Sequence, residues 1–303
     1  MIEVTGRFYR AAETGGGSPG ITASDAPKAA DYKSARKPIW CPGCGDYGVL
    51  NSVFGSLAGR RIDPDRLVVV SGIGCSSRMP GFIKAYGFHS AHGRAVPVGI
   101  GVKVARPELD VLIVGGDGDG FSIGGGHLPH AARRNIDVTY VVMDNEIYGL
   151  TKGQVSPTSQ PGSKAKSAPY GTVETPINMV LQMLAYGATY VGRAVASNPK
   201  QLGELIQGGM EHKGFSFVQV LSPCVTFNKT IGYEYFKEHT APLPADHRSD
   251  DLVNAMKLAT EEQMYLGLFY KGERLEYTEG LRLHGRTSLD SRINIEPLIR
   301  QYS

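Results

Sequence analysis

Apolar residues fall into short runs separated by amphipathic stretches, and that alternation predicts an α/β fold. Residues 66–71 (ending Leu-Val-Val-Val-Ser), 111–114, 138–143, 188–191 and 215–221 are continuous apolar runs too short for helices. They have the pattern of strands buried on both faces. Between them apolar positions recur at helical spacing. One helix is predicted after Gly45-Asp46, with Val49, Leu50, Val53, Phe54 and Leu57 inward. Others are predicted near 127–134, over 176–186 (Ile177, Met179, Val180, Met183, Leu184), and from Asn198-Pro199 onward (Leu202, Leu205, Ile206). Ser249-Asp250-Asp251 reads as the cap of a further helix over 252–270. The expected architecture is a mostly parallel sheet flanked by helices.

Outside that alternation the pattern weakens. Residues 1–36, with Gly15-Gly16-Gly17-Ser18-Pro19-Gly20, read as a weakly structured arm, either a tail or a wrap around a partner. Residues 37–231 form the α/β domain, and 232–303 read as a C-terminal extension docked on the domain or on a partner subunit. The Ser/Pro/Gly/Lys-rich segment 155–175 is expected as a functional or interface loop.

Composition changes this picture little. The 303 residues are 41% hydrophobic and 20% charged, which is enough for a large core. A net charge of +3, with no Lys/Arg stripe interleaved with aromatics, argues against nucleic acid. No long apolar span or apolar leader is present, so no membrane and a cytoplasmic location are expected.

Residues 111–154 carry the densest chemistry. A strand runs into Gly116-Asp117-Gly118-Asp119-Gly120, and the next strand ends in Asp144-Asn145. Ligands bind at the C-terminal ends of parallel strands. Glycines let backbone N–H groups approach a diphosphate, while a carboxylate and an amide supply hard oxygens for Mg2+. A GDG alone is equally a bare tight turn; the pairing with Asp144-Asn145 is far more specific. The pair resembles the motif of thiamine-dependent enzymes. That resemblance implies thiamine diphosphate, with Mg2+ held by Asp117, Asn145 and the backbone oxygen of Ile147. Asp144 stands where the motif's first asparagine would be.

The chain has four cysteines, all at turns or strand ends. Cys41-Pro42-Gly43-Cys44 is a knuckle just before a helix, a place where the helix dipole is expected to lower the Cys44 pKa. Cys75 lies in Gly72-Ile73-Gly74-Cys75-Ser76-Ser77, and Cys224 follows Ser222-Pro223. The knuckle and the Pro-Cys turn argue against inert buried thiols, and the expected cytoplasmic location argues against disulfides. A metal site remains. Zinc ribbons show a second close pair, and four thiolates also suit a [4Fe–4S] cluster, so the cysteines leave both open.

The strings WCPGCG, SGIGCSS, HGRA, GGDGDG, IGGGH and DNEIYGLTKGQ, in that order, resemble the β subunit of multi-subunit 2-oxoacid:ferredoxin oxidoreductases, over about residues 38–224. The resemblance implies one [4Fe–4S] cluster on Cys41, Cys44, Cys75 and Cys224, close to the thiamine diphosphate. It implies cofactor contacts at Ile73, Gly74, Cys75 and Ser76, at His92, at Gly118 and Asp119, and at Gly149 and Leu150. His89, His127 and His130 lack this support and read as structural. The implied activity is oxidative decarboxylation of a 2-oxoacid with coenzyme A as co-substrate and ferredoxin as acceptor, running in reverse as CO2 fixation. HGRA and DNEIYGLTKGQ favour 2-oxoglutarate or a broad 2-oxoacid range; pyruvate, branched-chain or aryl 2-oxoacids are the alternatives. A non-catalytic zinc-bound scaffold subunit is the different-class alternative. The glutamate that activates the aminopyrimidine ring is expected from an α subunit in an αβ or α2β2 assembly, because this chain holds one sheet domain. Arg78 and Lys152 follow strand ends and are expected to face the cofactor side and bind substrate carboxylates.

Overall fold

The computed structural model describes residues 27–283 and Arg300. The β-branched and aliphatic runs form the middle of one eight-stranded sheet. In chain order the strands are β1 (Leu67–Ser71), β2 (Tyr86–His89), β3 (Asp110–Gly116), β4 (Val138–Asp144), β5 (Ile147–Tyr148), β6 (Gln154–Val155), β7 (Tyr190–Val195), β8 (Phe215–Leu221), β9 (Thr240–Pro242) and β10 (Met264–Lys271). The sheet order is β2-β1-β3-β4-β8-β7-β10-β9, and β5 and β6 make a separate ladder. From β2 to β7 every pairing is parallel; β10 runs antiparallel to β7.

The helices are α1 (Asp46–Gly59), α2 (Ala95–Ala105), α3 (Leu128–Arg134), α4 (Met179–Ala185), α5 (Pro199–Glu211), α6 (Tyr233–His239), α7 (Leu252–Thr260) and α8 (Tyr277–Leu283). They cover both faces, and the strand pleat divides the core accordingly. Leu112 and Val114 pack with α1 and α5, while Val111 and Ile113 pack against residues of α2, α3 and α4. Each fully buried aliphatic or aromatic side chain contributes roughly 1.5–3 kcal/mol by leaving water.

Several expectations shift. The helix expected over 252–270 ends at Thr260, and its second half is β10. From Met264 the apolar side chains alternate. Met264, Leu266 and Leu268 pack on one side and Tyr265 and Phe269 on the other, a period of two rather than 3.6. The open edge of β7 then supplies the ladder. The helix expected over 176–186 starts only at Met179, where Asn178 caps it by accepting from Leu181 N at 3.1 Å. The strand expected at 188–191 is shifted to β7. Residues 27–36 are not a loose arm, since Tyr32 is fully buried and its hydroxyl donates to the carbonyls of Leu57 and Ile62. The rest of the expected arm (1–26) and the end of the extension (284–299 and 301–303) lie outside the described residues. Among the described residues no helix is long and apolar enough to cross a membrane.

Candidate functional site

β1, β3, β4 and β8 are parallel neighbours, so the segments following them open on one edge of the sheet. Between the first three of these segments lies a cleft of about 460 Å³. It gathers every residue expected to touch the cofactor: Ile73, Gly74, Cys75, Ser76, His92, Gly118, Asp119, Gly149 and Leu150. Asp117, Asn145 and Ile147 line it too, joined by Gly116, Tyr148 and Thr151, which sequence reasoning had not singled out. After β3 the backbone makes one wide π-type turn (Asp119–Ile123) before α3, a distortion common at functional sites. A methyl group on Gly118 would run into the Tyr148 ring, whose hydroxyl donates to Gly118 O at 3.0 Å.

Asp119 organises the cleft. Its Oδ1 accepts from Ile73 N at 2.9 Å and Gly93 N at 2.7 Å, tying the cysteine turn and the HGRA loop to the GDGDG loop. His92 Nδ1 lies 3.3 Å from the same oxygen. What Asp119 offers an anion is therefore its backbone N–H, because its carboxylate is engaged with these neighbours and would repel a diphosphate.

Three buried acids, Asp117, Asp144 and Glu146, lie near one another, and of the three Asp117 lines the cleft. Thr158 Oγ1 stands 2.9 Å from both Asp117 Oδ2 and Asp144 Oδ1. Glu146, held at φ 56°, accepts from Gln160 Nε2 at 3.1 Å. Burial, then the neighbouring Asp144, pushes Asp117 up to about 7 and Glu146 up to about 8, and burial raises Asp144. Acids crowded this closely suit a divalent ion. The cleft offers such an ion hard oxygens from its lining residues Asp117, Asn145 and Ile147. Asn145 is braced by Asn228 Nδ2, which donates to its carbonyl at 3.0 Å. Thr158 comes from a segment legible only as a loop, and nothing in its local sequence marks it.

The thiols collect beside the cleft. Trp40 Nε1 donates to Cys75 O at 2.7 Å, and Gly45 N donates to Pro223 O at 3.1 Å, so the knuckle is tied to both distant cysteine segments. A methyl group built on Gly149 would stand 3.4 Å from Cys224 Sγ and 3.9 Å from Cys75 Sγ. The expected lowering of Cys44 is reversed: burial, then Asp46, raises it well above the usual thiol range, and the same two causes push Cys75 up to about 11. The dipole loses because the thiol is largely buried next to an acid that is itself wholly buried, with Asp46 Oδ2 lacking a hydrogen-bond partner. Such thiols become thiolates against metal ions, which suits a metal group. Among the described residues no three His, Cys, Asp or Glu side chains close on a point as ligands of one ion do.

Arg78 and Lys152 do not line the cleft. Arg78 lies in an adjoining groove of about 1260 Å³ with Arg36, Lys37 and His89; it meets the cleft at Ile73, Gly74 and Leu150. His89 Nδ1 is 2.9 Å from Ser71 Oγ, and His127 and His130 sit away from the cleft in a separate groove with Arg133 and Arg134. Lys152 is exposed at φ 73° in the turn between β5 and β6.

Comparison with known proteins agrees with this geometry. The family "Thiamine pyrophosphate enzyme, C-terminal TPP binding domain" matches residues 72–220. The family of the C-terminal region of the pyruvate ferredoxin oxidoreductase β chain matches residues 224–284. The β subunit of 2-oxoacid:ferredoxin oxidoreductase 2 from Aeropyrum pernix is 42% identical over 74% of this chain and 72% of its own. The 2-oxoglutarate oxidoreductase subunit KorB of Mycobacterium tuberculosis is 47% identical over 69% of this chain; the match spans 56% of that longer relative. Among solved structures, 2-oxoglutarate:ferredoxin oxidoreductase from Magnetococcus marinus, with 2-oxoglutarate, coenzyme A and succinyl-CoA bound, superposes with a TM-score of 0.85 at 48% identity. That match covers 91% of this chain and 96% of the other.

Proposed function

This chain belongs to the β subunits of the 2-oxoacid:ferredoxin oxidoreductases, and on that footing we propose that it holds thiamine diphosphate, Mg2+ and one [4Fe–4S] cluster. With an α subunit it oxidatively decarboxylates 2-oxoglutarate to an acyl-CoA and CO2, passes the electrons to ferredoxin, and runs reversibly toward CO2 fixation. One observation carries the reading: Cys75 lines the cleft itself, and its sulfur and that of Cys224 both lie within 4 Å of where a side chain on Gly149, another cleft residue, would begin. A carbon-chemistry site and a thiol set thus share a wall. When bound, thiamine diphosphate supplies the electron sink for decarboxylation and the cluster a one-electron outlet.

The chain's own residues prepare that chemistry. Asp117, Asn145 and the Ile147 carbonyl would hold Mg2+, and the backbone at Gly118 and Asp119 would face the diphosphate. Asp119 keeps His92 and the turn carrying Ile73 and Gly74 against the same cleft. Cys41, Cys44, Cys75 and Cys224 would hold the cluster. Arg78, at the groove that adjoins the cleft, binds a substrate carboxylate, and Lys152, in the turn between β5 and β6, does the same. Arg78→Ala and Lys152→Ala each raise KM for the 2-oxoacid, and unchanged kinetics in both would remove them from the substrate site. The activating glutamate comes from the α subunit, so the β chain alone turns over nothing. The substrate assignment draws support from the Magnetococcus enzyme, solved with 2-oxoglutarate bound.

The test is anaerobic co-purification with the α partner, followed by a 2-oxoacid panel with coenzyme A and a viologen acceptor. We expect a brown complex whose visible absorbance bleaches on reduction and whose kcat/KM is highest for 2-oxoglutarate. A preference for pyruvate would change the substrate alone. A colourless zinc-loaded complex, inactive with every 2-oxoacid, would overturn the reading.

A further inference from the structure

One buried cation has no place in the chemistry so far. Arg193, on β7, is buried in the sheet interior, and its guanidinium lies 5.3 Å from the centre of the Phe269 ring. Placing a guanidinium in such surroundings is costly unless an anion or strong acceptors answer it. No carboxylate reaches it directly among the described residues. Its Nε donates to Gln219 Oε1 at 2.8 Å, and Gln219 Nε2 donates to Asp144 Oδ2 at 2.7 Å. Arg193 and Gln219 are register partners on β7 and β8, and Asp144 ends the next strand, so three strands carry one polar row toward the ligand edge. The row continues: Asp144 Oδ1 faces Thr158 Oγ1, which also faces Asp117 Oδ2.

We propose that Arg193 is a positioning residue for the divalent-cation site, acting through Gln219 on Asp144. The proposal rests on the assignment of Asp117 and Asn145 to that site. A Gln amide has one accepting and one donating end, and Arg193 can only donate. Arg193 therefore fixes the Gln219 flip, and the NH2 must point at Asp144. With its Oδ2 held from the sheet side, Asp144 keeps Oδ1 turned to Thr158. Thr158 Oγ1 carries one hydrogen for two carboxylates, so the position of Asp144 decides how Asp117 is held. Arg193 also supplies the positive charge that offsets a second acid beside Asp117, where the thiamine motif has a neutral asparagine. Without it the Gln219 carbonyl loses the donor that anchors it, the amide is held at its Asp144 end alone, and the ligand set loses its fixed geometry.

The experiment uses the α–β complex stripped of thiamine diphosphate and divalent ions. Mn2+ binding in the presence of thiamine diphosphate is read by electron paramagnetic resonance, beside thermal unfolding of the same samples. Arg193→Met and Gln219→Met each weaken the apparent Mn2+ affinity by about threefold to tenfold, below the ~10–100-fold typical of a residue bonded to a ligand itself, because the row reaches Asp117 only through Asp144 and Thr158. Arg193→Lys, which keeps a donor and the charge, recovers part of the loss. Gln219→Met changes no charge and little volume, so it carries the test if Arg193→Met does not fold. A folded Gln219→Met complex binding Mn2+ as the parent does, with only its unfolding temperature lowered, would reduce the row to a structural staple and overturn the proposal. A parent complex that binds no Mn2+ with thiamine diphosphate would sink the cofactor assignment itself, a result separate from any difference among variants.

Discussion

At the scale of single residues, the glycines and buried acids make the sharpest predictions. Gly149 lines the cleft close to two thiols, with no side chain of its own. Alanine there meets both sulfurs at ordinary contact distance, while the branches of valine press into them. Gly149→Ala is expected to keep the visible absorbance and iron content of the complex, and Gly149→Val to lose most of both. The acids set a pH dependence for the metal-free chain. Asp117 and Glu146 have ordinary values of 3.8 and 4.5 and are raised to about 7 and about 8. Between those limits the unfolded chain releases protons that the folded chain keeps, so their contribution is full on the acid side and drains away as pH rises. The unfolding temperature of the metal-free protein should fall between about pH 4.5 and 8, less steeply in Asp117→Asn, and Mg2+ with thiamine diphosphate should flatten the fall. A rise across that window in the metal-free protein would contradict this account. The sequence disclosed Asp117 and Asn145 because strand ends and glycines frame them. It did not disclose Thr158, Gln219 or Arg193, because their roles exist only once four distant segments are side by side.

At the scale of elements, legibility followed periodicity. Residues 111–114, 138–143 and 215–221 are readable as strands because both faces are buried and apolar residues dominate each run. Residues 264–271 mislead because apolar residues dense enough for a strand also satisfy a helix when the segment follows a good helix cap. The decisive information, an open edge on β7, is tertiary. Phe269 checks the corrected assignment. It is fully buried between β10 and the helices of one face, so Phe269→Ala should cost about 3–5 kcal/mol in denaturant unfolding. Val253 on α7 is largely exposed, and Val253→Ala should stay within about 0.5 kcal/mol of the parent. Comparable costs at the two positions would mean that β10 is not packed as described.

At the scale of the whole molecule, the 155–175 segment presents Tyr170 and Val173 almost wholly to solvent, at 96% and 95%. Apolar side chains exposed to this degree are where the proposed contact with an α subunit is expected. Tyr170→Asp should reduce recovery of the α subunit on co-purification while leaving the unfolding temperature of the β chain unchanged; undiminished recovery would place the contact elsewhere. The convergence of the cysteines has a further meaning, for how such a protein is made. Knuckle, strand turn and Pro-Cys turn lie at positions 41–44, 75 and 224, and the chain itself ties them through hydrogen bonds such as Trp40 to Cys75 and Gly45 to Pro223. A metal ribbon nucleates its own folding, but here the receptacle exists only after the last parallel strand has joined the sheet. On the proposed cluster assignment, maturation would run chain first and cluster last. The colour of a preparation would then be a certificate of completed folding, and a chain stalled before β8 docks would have nowhere to place the proposed cluster.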